Sequence, residues 1–188
     1  MAGRSPAGKI NMRGFSIVEL LIVVAVIGIL SAVGVVAYNR YVNRSRQSEV
    51  FAMIGAIRSA QEAYKAESSR YLGTGTSETD FYPVLGSSGR EPSRKSWDPA
   101  AHGKTSWQSL AVSSPSKGLY CGYVVVAGAA NDLTGAGARG ITLFNNQAPS
   151  RAWYYIRAEC DFDGKSGTNS SYETTFDNEV VFVDNEGS

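Results

Sequence analysis

A single glutamate, Glu19, stands at the edge of the most apolar stretch of this chain of 188 residues. It is the fifth residue after Gly14, with Phe15, Ser16, Ile17 and Val18 between, and it immediately precedes Leu20–Ala37, LLIVVAVIGILSAVGVVA, 18 residues without a charge. An acid so placed is costly and calls for a cationic partner. The other residues that could do chemistry fall short of a constellation. There is one histidine, His102, in a Gly/Ser/Pro-rich stretch, with neither a serine triad nor a Cys/His zinc spacing around it. The run Gly135-Ala136-Gly137-Ala138-Arg139-Gly140 lacks the strand-turn-helix setting of a phosphate-binding loop. Asp161-Phe162-Asp163-Gly164 starts like a calcium loop, but Lys165 stands where an oxygen ligand is required and Tyr172 where a glutamate is. The chain is therefore expected to be no enzyme and to hold no cofactor. Two cysteines, Cys121 and Cys160, lie downstream of the apolar run. In an exported domain they read as one disulfide, the alternative being two buried thiols.

The element that positions Glu19 is a helix. Eighteen uncharged apolar residues are the length of a membrane span. Arg4, Lys9 and Arg13 precede the run without an acid, which keeps the N-terminus in the cytoplasm; Arg40, Arg44 and Arg46 follow it and blunt that asymmetry. A secretory signal peptide would have a shorter apolar core and a small-residue cleavage site after it. A plain signal anchor accounts for the length and the flanking charges but not for Glu19. Overall formal charge is +1; without the first 14 residues, 15 basic face 17 acidic residues, a net charge of −2. That balance gives no support for a general nucleic-acid binder.

The segment Arg13-Gly14-Phe15-Ser16-Ile17-Val18-Glu19-Leu20-Leu21-Ile22-Val23-Val24 resembles the prepilin signature of type IV pilins and type II secretion pseudopilins, a likeness that covers roughly residues 13 to 40. The resemblance implies cleavage by a prepilin peptidase after Gly14, N-methylation of Phe15 and an assembly role for Glu19. It further implies a stay in the inner membrane, then self-association into a helical homopolymer at the cell surface with the pilus assembly machinery and minor pilins as partners. Phe15 and Glu19 are one helical turn apart on one face. A Phe15 amine set free by cleavage would neutralise Glu19, in its own subunit or in the neighbour it docks against, and so set register in an apolar filament core. One departure is visible: the proline that many family members carry at the 22nd mature position is Val36 here, and Gly28, Ser31 and Gly34 stand nearby instead. The resemblance to major pseudopilins also implies calcium in a C-terminal loop, for which Asp161, Asp163, Glu173, Asp177 and Glu179 are candidates; their spacing favours acidic turn residues over ligands.

Beyond the apolar run, Tyr38, Tyr41, Val42, Val50, Met53, Ile54, Ile57, Gln61 and Tyr64 recur at helical steps, with Arg40, Arg44, Arg46, Glu49, Arg58, Glu62 and Lys65 on the remaining surface. The helix is expected to run from Phe15 to Ser68 or Ser69, and the aromatics along it to serve packing. Residues 73–104 form a Gly/Ser/Pro-rich loop whose Arg90, Arg94, Lys95, His102 and Lys104 are a solvated positive surface or a contact for anions, DNA or a neighbouring subunit. Trp97 and Trp107 are expected to pin this loop to the head, with a helical turn over residues 106–112. Strands are expected at 119–127, 140–144, 152–161 and 178–184, joined as an antiparallel meander. Cys121 shares a strand face with Tyr123 and Val125, and Cys160 with Ala158, Ile156 and Tyr154.

The expected fold is α+β: a long N-terminal helix, half transmembrane and half amphipathic, on a small antiparallel sheet head. Its parts are a leader (1–14), a membrane and filament-core helix (15–38), an amphipathic helix (39–72), an αβ loop (73–118) and a disulfide-bearing sheet (119–188). The expected function is that of a pilus subunit for adhesion, motility or DNA uptake. A type II secretion pseudopilin is the near alternative, and a membrane-anchored periplasmic enzyme the alternative of another class.

Overall fold

The computed structural model describes residues 14, 16–84, 94–162, 169–178 and 181–184, with the side chains of residues 33, 36, 37, 39, 40, 182 and 184 outside the description. The chain divides into two compact units, Met1–Val42 and Asn43–Ser188. Helix α1 spans Ile17–Ser68, the single long helix that the hydrophobic periodicity predicts.

In the first unit, α1 opens with a reciprocal cap. The Ser16 hydroxyl accepts a hydrogen bond from the Val18 N–H at 3.3 Å, and the Glu19 carboxylate accepts one from the Ser16 N–H at 3.0 Å. This Ser-x-x-Glu pairing satisfies two of the backbone donors that every helix N-terminus leaves without an intrahelical partner. The following side chains are exposed in every direction around the helix, from Ile17 at 80% to Leu30 at 66%.

In the second unit the same helix buries a stripe. Val50, Met53, Ile54, Ile57 and Gln61 are covered, as positions three and four apart on one face must be when that face meets a sheet. Gln61 is the polar member and is fully satisfied. Its amide nitrogen donates to the Leu72 carbonyl at 2.6 Å, and its amide oxygen accepts from the Leu72 N–H at 3.0 Å. That two-way bond folds the chain back just after the helix ends, where Ser69 takes a left-handed conformation at φ 59°.

Strand β1 (Lys95–Ser96) and β2 (Gly118–Leu119) pair as a small antiparallel ribbon around α2 (Thr105–Leu110). The principal sheet is an antiparallel meander in the order β3 (Cys121–Gly128), β4 (Trp153–Cys160), β5 (Ser170–Thr175), β6 (Phe182–Asp184). The outer edge of β3 is covered by the loop after α1: Thr74 bonds Val125 through both its backbone N–H and its hydroxyl, and Tyr82 bridges to Tyr123. Covering that row of donors and acceptors removes a template for unwanted strand pairing.

Both faces of the sheet are buried. Tyr123, Val125, Tyr154, Ile156 and Ala158 pack with the α1 stripe, whereas Val124, Val126, Trp153 and Tyr155 pack on the other side with Ala136 and the flank of α3 (Gly137–Leu143). Trp97 and Trp107 meet edge to face with ring centroids 5.1 Å apart, and Trp107 is buried, so the αβ loop is pinned as its aromatics predict.

Three expectations need correction. Residues 140–144, expected as a strand, lie in and after α3: the Phe144 N–H bonds the Gly140 carbonyl, and Gly140 has no Cβ because one would collide with the Tyr155 ring. A four-residue apolar run is compatible with either period, and the close approach to Tyr155 decides it. The expected strand 119–127 is broken at Tyr120 into β2 and β3. The strand β5 was not expected, because its sequence SSYETT has few apolar residues; Tyr172 and Thr174 nonetheless alternate onto a buried face.

Cys121 and Cys160 face each other in register across β3 and β4, with Cα atoms 4.2 Å apart, and are joined by a disulfide. Both are buried. The bridge closes a loop between residues 39 apart in sequence, which in the chain-entropy account restricts the unfolded state. Replacing both cysteines by alanine is expected to cost about 2–5 kcal/mol, read as a lower urea midpoint for the unit Asn43–Ser188. An unchanged midpoint, or two alkylatable thiols in the unreduced native protein, would refute a stabilising bridge.

Candidate functional site

The constellation that the sequence singles out lies at the start of α1. Gly14 is exposed, and a Cβ built on it would meet nothing within 4 Å. Phe15 lies outside the described residues. Glu19 is exposed, with its carboxylate already directed back toward the helix start by the bond from the Ser16 N–H. The structure thus supplies a reason for Glu19 that the sequence reading did not contain: it completes the cap with Ser16. The helix continues unbroken through Gly28, Ser31 and Gly34, and neither glycine has a neighbour within 4 Å of an added Cβ. Among the described residues no helix is long and apolar enough to cross a membrane; Val33, Val36 and Ala37 of the apolar run are among those whose side chains lie outside the description.

In the head, two of the acidic candidates, Glu173 and Asp177, are committed elsewhere. Glu173 is 3% exposed, and its carboxylate accepts from Arg139 Nε at 2.8 and 2.9 Å, with Arg157 Nε 3.1 Å away. Asp177 accepts from the Thr175 hydroxyl at 2.8 Å. Asp163 and Glu179 lie outside the described residues. Among the described residues no three His, Cys, Asp or Glu side chains are grouped to hold a metal ion. Two of the loop cations, Arg94 and Lys104, are also paired. Arg94 meets Glu49 at 2.6 Å and Lys104 meets Asp80 at 3.3 Å, while His102 Nδ1 sits 2.9 Å from the Asp98 carbonyl; Arg90 is outside the description.

Sequence reasoning missed the polar ties between helix and head, because it assigned the arginines of α1 to the solvent face. Arg46 donates to the Phe162 carbonyl at 2.7 Å and lies over the Tyr120 ring, with its guanidinium carbon 4.9 Å from the ring centroid. Arg58 donates to the Thr174 hydroxyl and to the carbonyls of Thr175 and Asn178 at the end of β5. Glu49 gathers Arg94, the Ser116 hydroxyl and the Tyr120 N–H. The available signal was their spacing. Arg46 precedes Val50, Met53 and Ile57 at steps of four, three and four, and Arg58 stands between Ile54 and Gln61 at four and three, so both flank the buried stripe.

Burial dominates the titration of the head. Tyr154 is pushed up to about 12 by loss of solvent. Tyr123 and Tyr155 are pushed higher still, again chiefly by burial; for Tyr155 the carboxylate of Glu78, 3.2 Å from its hydroxyl, adds to the effect. Asp80 is held below the ordinary carboxylate range mainly by the Thr76 N–H, with Lys104 assisting. A tyrosine whose folded pKa is raised contributes stability that is complete below the unfolded value near 10 and is lost as pH rises through the folded value. The head should therefore hold its near-ultraviolet circular dichroism to about pH 10 and lose it cooperatively between about 10 and 12, with tyrosinate absorbance rising in the same step. Gradual tyrosinate formation in an otherwise native head would contradict this account.

Comparison with known proteins bears on the N-terminal constellation. The family model described as the prokaryotic N-terminal methylation motif matches residues 9–35. The type IV major pilin protein of Myxococcus xanthus is 42% identical over 59 residues, 31% of this chain and 27% of that protein. A fimbrial protein of Eikenella corrodens is 44% identical over 55 residues, 29% of this chain and 36% of the other. A probable minor fimbrial protein of Dichelobacter nodosus is 36% identical over 70 residues, 37% and 44% of the respective lengths. The chain spans less than half the length of each of these relatives. No solved structure matches. The methylation motif thus leads into a long helix, and over that N-terminal part the chain is similar to type IV pilin and fimbrial proteins.

Proposed function

We propose that this chain is the structural subunit of a type IV pilus, made as a precursor, held in the inner membrane by Leu20–Ala37, cleaved after Gly14 and polymerised through α1 into a surface filament. The observation that carries this reading is the placement of one acid, Glu19, in the first turn of a helix whose following side chains are apolar on every side. Such a helix is stable only where lipid or other apolar helices surround it. In that setting an unpaired carboxylate is strongly unfavourable, and the α-amine of a newly exposed Phe15, one turn away, is the cation nearest in sequence. The prepilin peptidase, the assembly machinery and minor pilins are the partners that this route requires; adhesion, motility and DNA uptake are the roles that such a filament serves. The disulfide and the commitment of Glu173 to two arginines favour a pilus subunit over a calcium-dependent pseudopilin.

Intact-mass measurement of the membrane or filament form is expected to give a chain that begins at N-methylated Phe15. A Gly14→Leu variant should insert normally but stay unprocessed, since a peptidase needs close access to the backbone at its cut. A mature chain starting at Met1, or one cut after Ala37, would overturn the reading.

Glu19→Ala separates a pilus subunit from a simple anchor. It removes a charge from the edge of an apolar helix, so membrane insertion is unharmed or improved, and a plain anchored protein would lose nothing. In a filament it leaves the Phe15 amine buried and unpaired, a loss on the order of 3–5 kcal/mol at each contact. The expected outcome is continued processing with assembly nearly abolished, measured as the ratio of sheared to membrane-bound protein. An unchanged ratio would promote the anchor reading.

A further inference from the structure

The αβ loop carries a groove that the filament reading leaves unused. It has a volume of about 660 Å³, within the range of small-ligand sites, and is lined by residues between Trp97 and Lys117. Its aromatic walls are Trp97 and Trp107. Trp97 is half-buried, and its indole N–H is already spent on the Val112 carbonyl at 3.2 Å, so what it has left to offer a ligand is ring surface. Trp107 is buried, and its indole N–H is, among the described residues, the one covered side-chain donor in this lining without an acceptor. A buried donor left unpaired is costly, and this one lies directly behind the groove wall. Gln108 and Ser113 are exposed on the rim and bring a carboxamide and a hydroxyl, and Asp98 and Lys117 contribute one charge of each sign.

From this lining we propose that the groove is a binding site for a neutral glycan. The two rim charges cancel, so neither an anionic nor a cationic ligand has a net electrostatic reason to bind. Indole surface suits the apolar C–H face of a pyranose ring, and the rim supplies both donors and acceptors for its hydroxyls. A proline-rich peptide would use the same aromatic walls. It is the poorer fit, because the indole N–H exposed enough to meet such a peptide's carbonyls, that of Trp97, is already bonded to Val112, and that of Trp107 is covered.

The test uses the full chain in detergent and needs no filament, so it stands or falls apart from the pilus reading. Tryptophan fluorescence is titrated with neutral cello-, malto- and galacto-oligosaccharides, with a sulfated oligosaccharide and with a proline-rich peptide. Saturable quenching by at least one neutral oligosaccharide, insensitive to salt, is the expected result. Trp97→Ala should weaken it by about tenfold or more, and Trp97→Phe by less, since a ring remains. Because Trp97→Ala could also loosen the loop, Ser113→Trp is the second variant. It fills the groove from an exposed position, and should abolish quenching with no change in melting temperature. No saturable response to any neutral oligosaccharide, preference for the sulfated probe or the peptide, or full binding by Ser113→Trp would each overturn the proposal.

Discussion

A helix with apolar side chains on every side has no stable place in water, and the organisation of this chain follows from that constraint. Over Leu20–Ala37 nothing polar larger than serine is available to face solvent. Intrahelical hydrogen bonds satisfy the backbone, so the segment tolerates lipid or a bundle of like helices equally well. What it does not tolerate is an unanswered charge. In the proposed route Glu19 would therefore be the position most sensitive to an exchange of lipid for neighbouring subunits, and the chemistry of the N-terminus would turn on which cation meets it.

The head is governed by a different balance. The unit Asn43–Ser188 has three layers, with the α1 stripe on one face of the sheet and α3 on the other. Apolar burial holds the layers together, but it is non-directional and does not alone fix where along the sheet the helix lies. The directional contacts do that. Arg46 reaches Phe162, Glu49 reaches Tyr120 and Ser116, Arg58 reaches the end of β5, and Gln61 locks Leu72. These four residues sit along the edges and end of the stripe at helical steps, so a slide of one turn would break all of them together. The Arg46 and Glu49 ties land on residues flanking the disulfide, Tyr120 before Cys121 and Phe162 after Cys160, so the bridge and the helix ties brace the same corner of the sheet.

What could be read in advance followed from the range of each signal. The helix was legible over its whole length from two signals, an uncharged apolar run up to Ala37 and a repeated helical period from Tyr38 to Tyr64. β3 and β4 were legible from Tyr- and Val-rich runs, and the disulfide from face alternation on both. The N-terminal motif was legible because it is local: Gly14, Phe15 and Glu19 fall within six residues. α3 was misread as a strand because Ile141-Thr142-Leu143-Phe144 is too short to declare a period, and its helical form depends on Gly140 resting against Tyr155, a contact between residues 15 apart. β5 escaped because its buried positions include Thr174 and Glu173, whose burial is made tolerable by Arg58, Arg139 and Arg157 from elsewhere in the chain. The groove was out of reach for the same reason. Its two tryptophans are ten residues apart, and their meeting is a property of the fold.

The cap at the start of α1 adds a step to the proposed route. In the uncut chain Glu19 bonds the Ser16 N–H, a neutral peptide donor. Cleavage after Gly14 would turn the neighbouring Phe15 nitrogen from a peptide amide into a cationic amine. A hydrogen bond with both partners charged is roughly twice as strong as a neutral one, and in an apolar core the advantage grows as water is excluded. Before the cut the carboxylate has, among the described residues, a cap but no counter-ion, which is adequate where one end of the helix meets water and inadequate inside a bundle. After the cut it has both. In the proposed route, removal of the leader would do more than shorten the chain: it would create a cation one turn from Glu19 that could accompany it into a filament core. In the proposed route processing and assembly would be coupled by the solvation of one carboxylate, and an unprocessed subunit would be held in the membrane by that carboxylate's need for a partner.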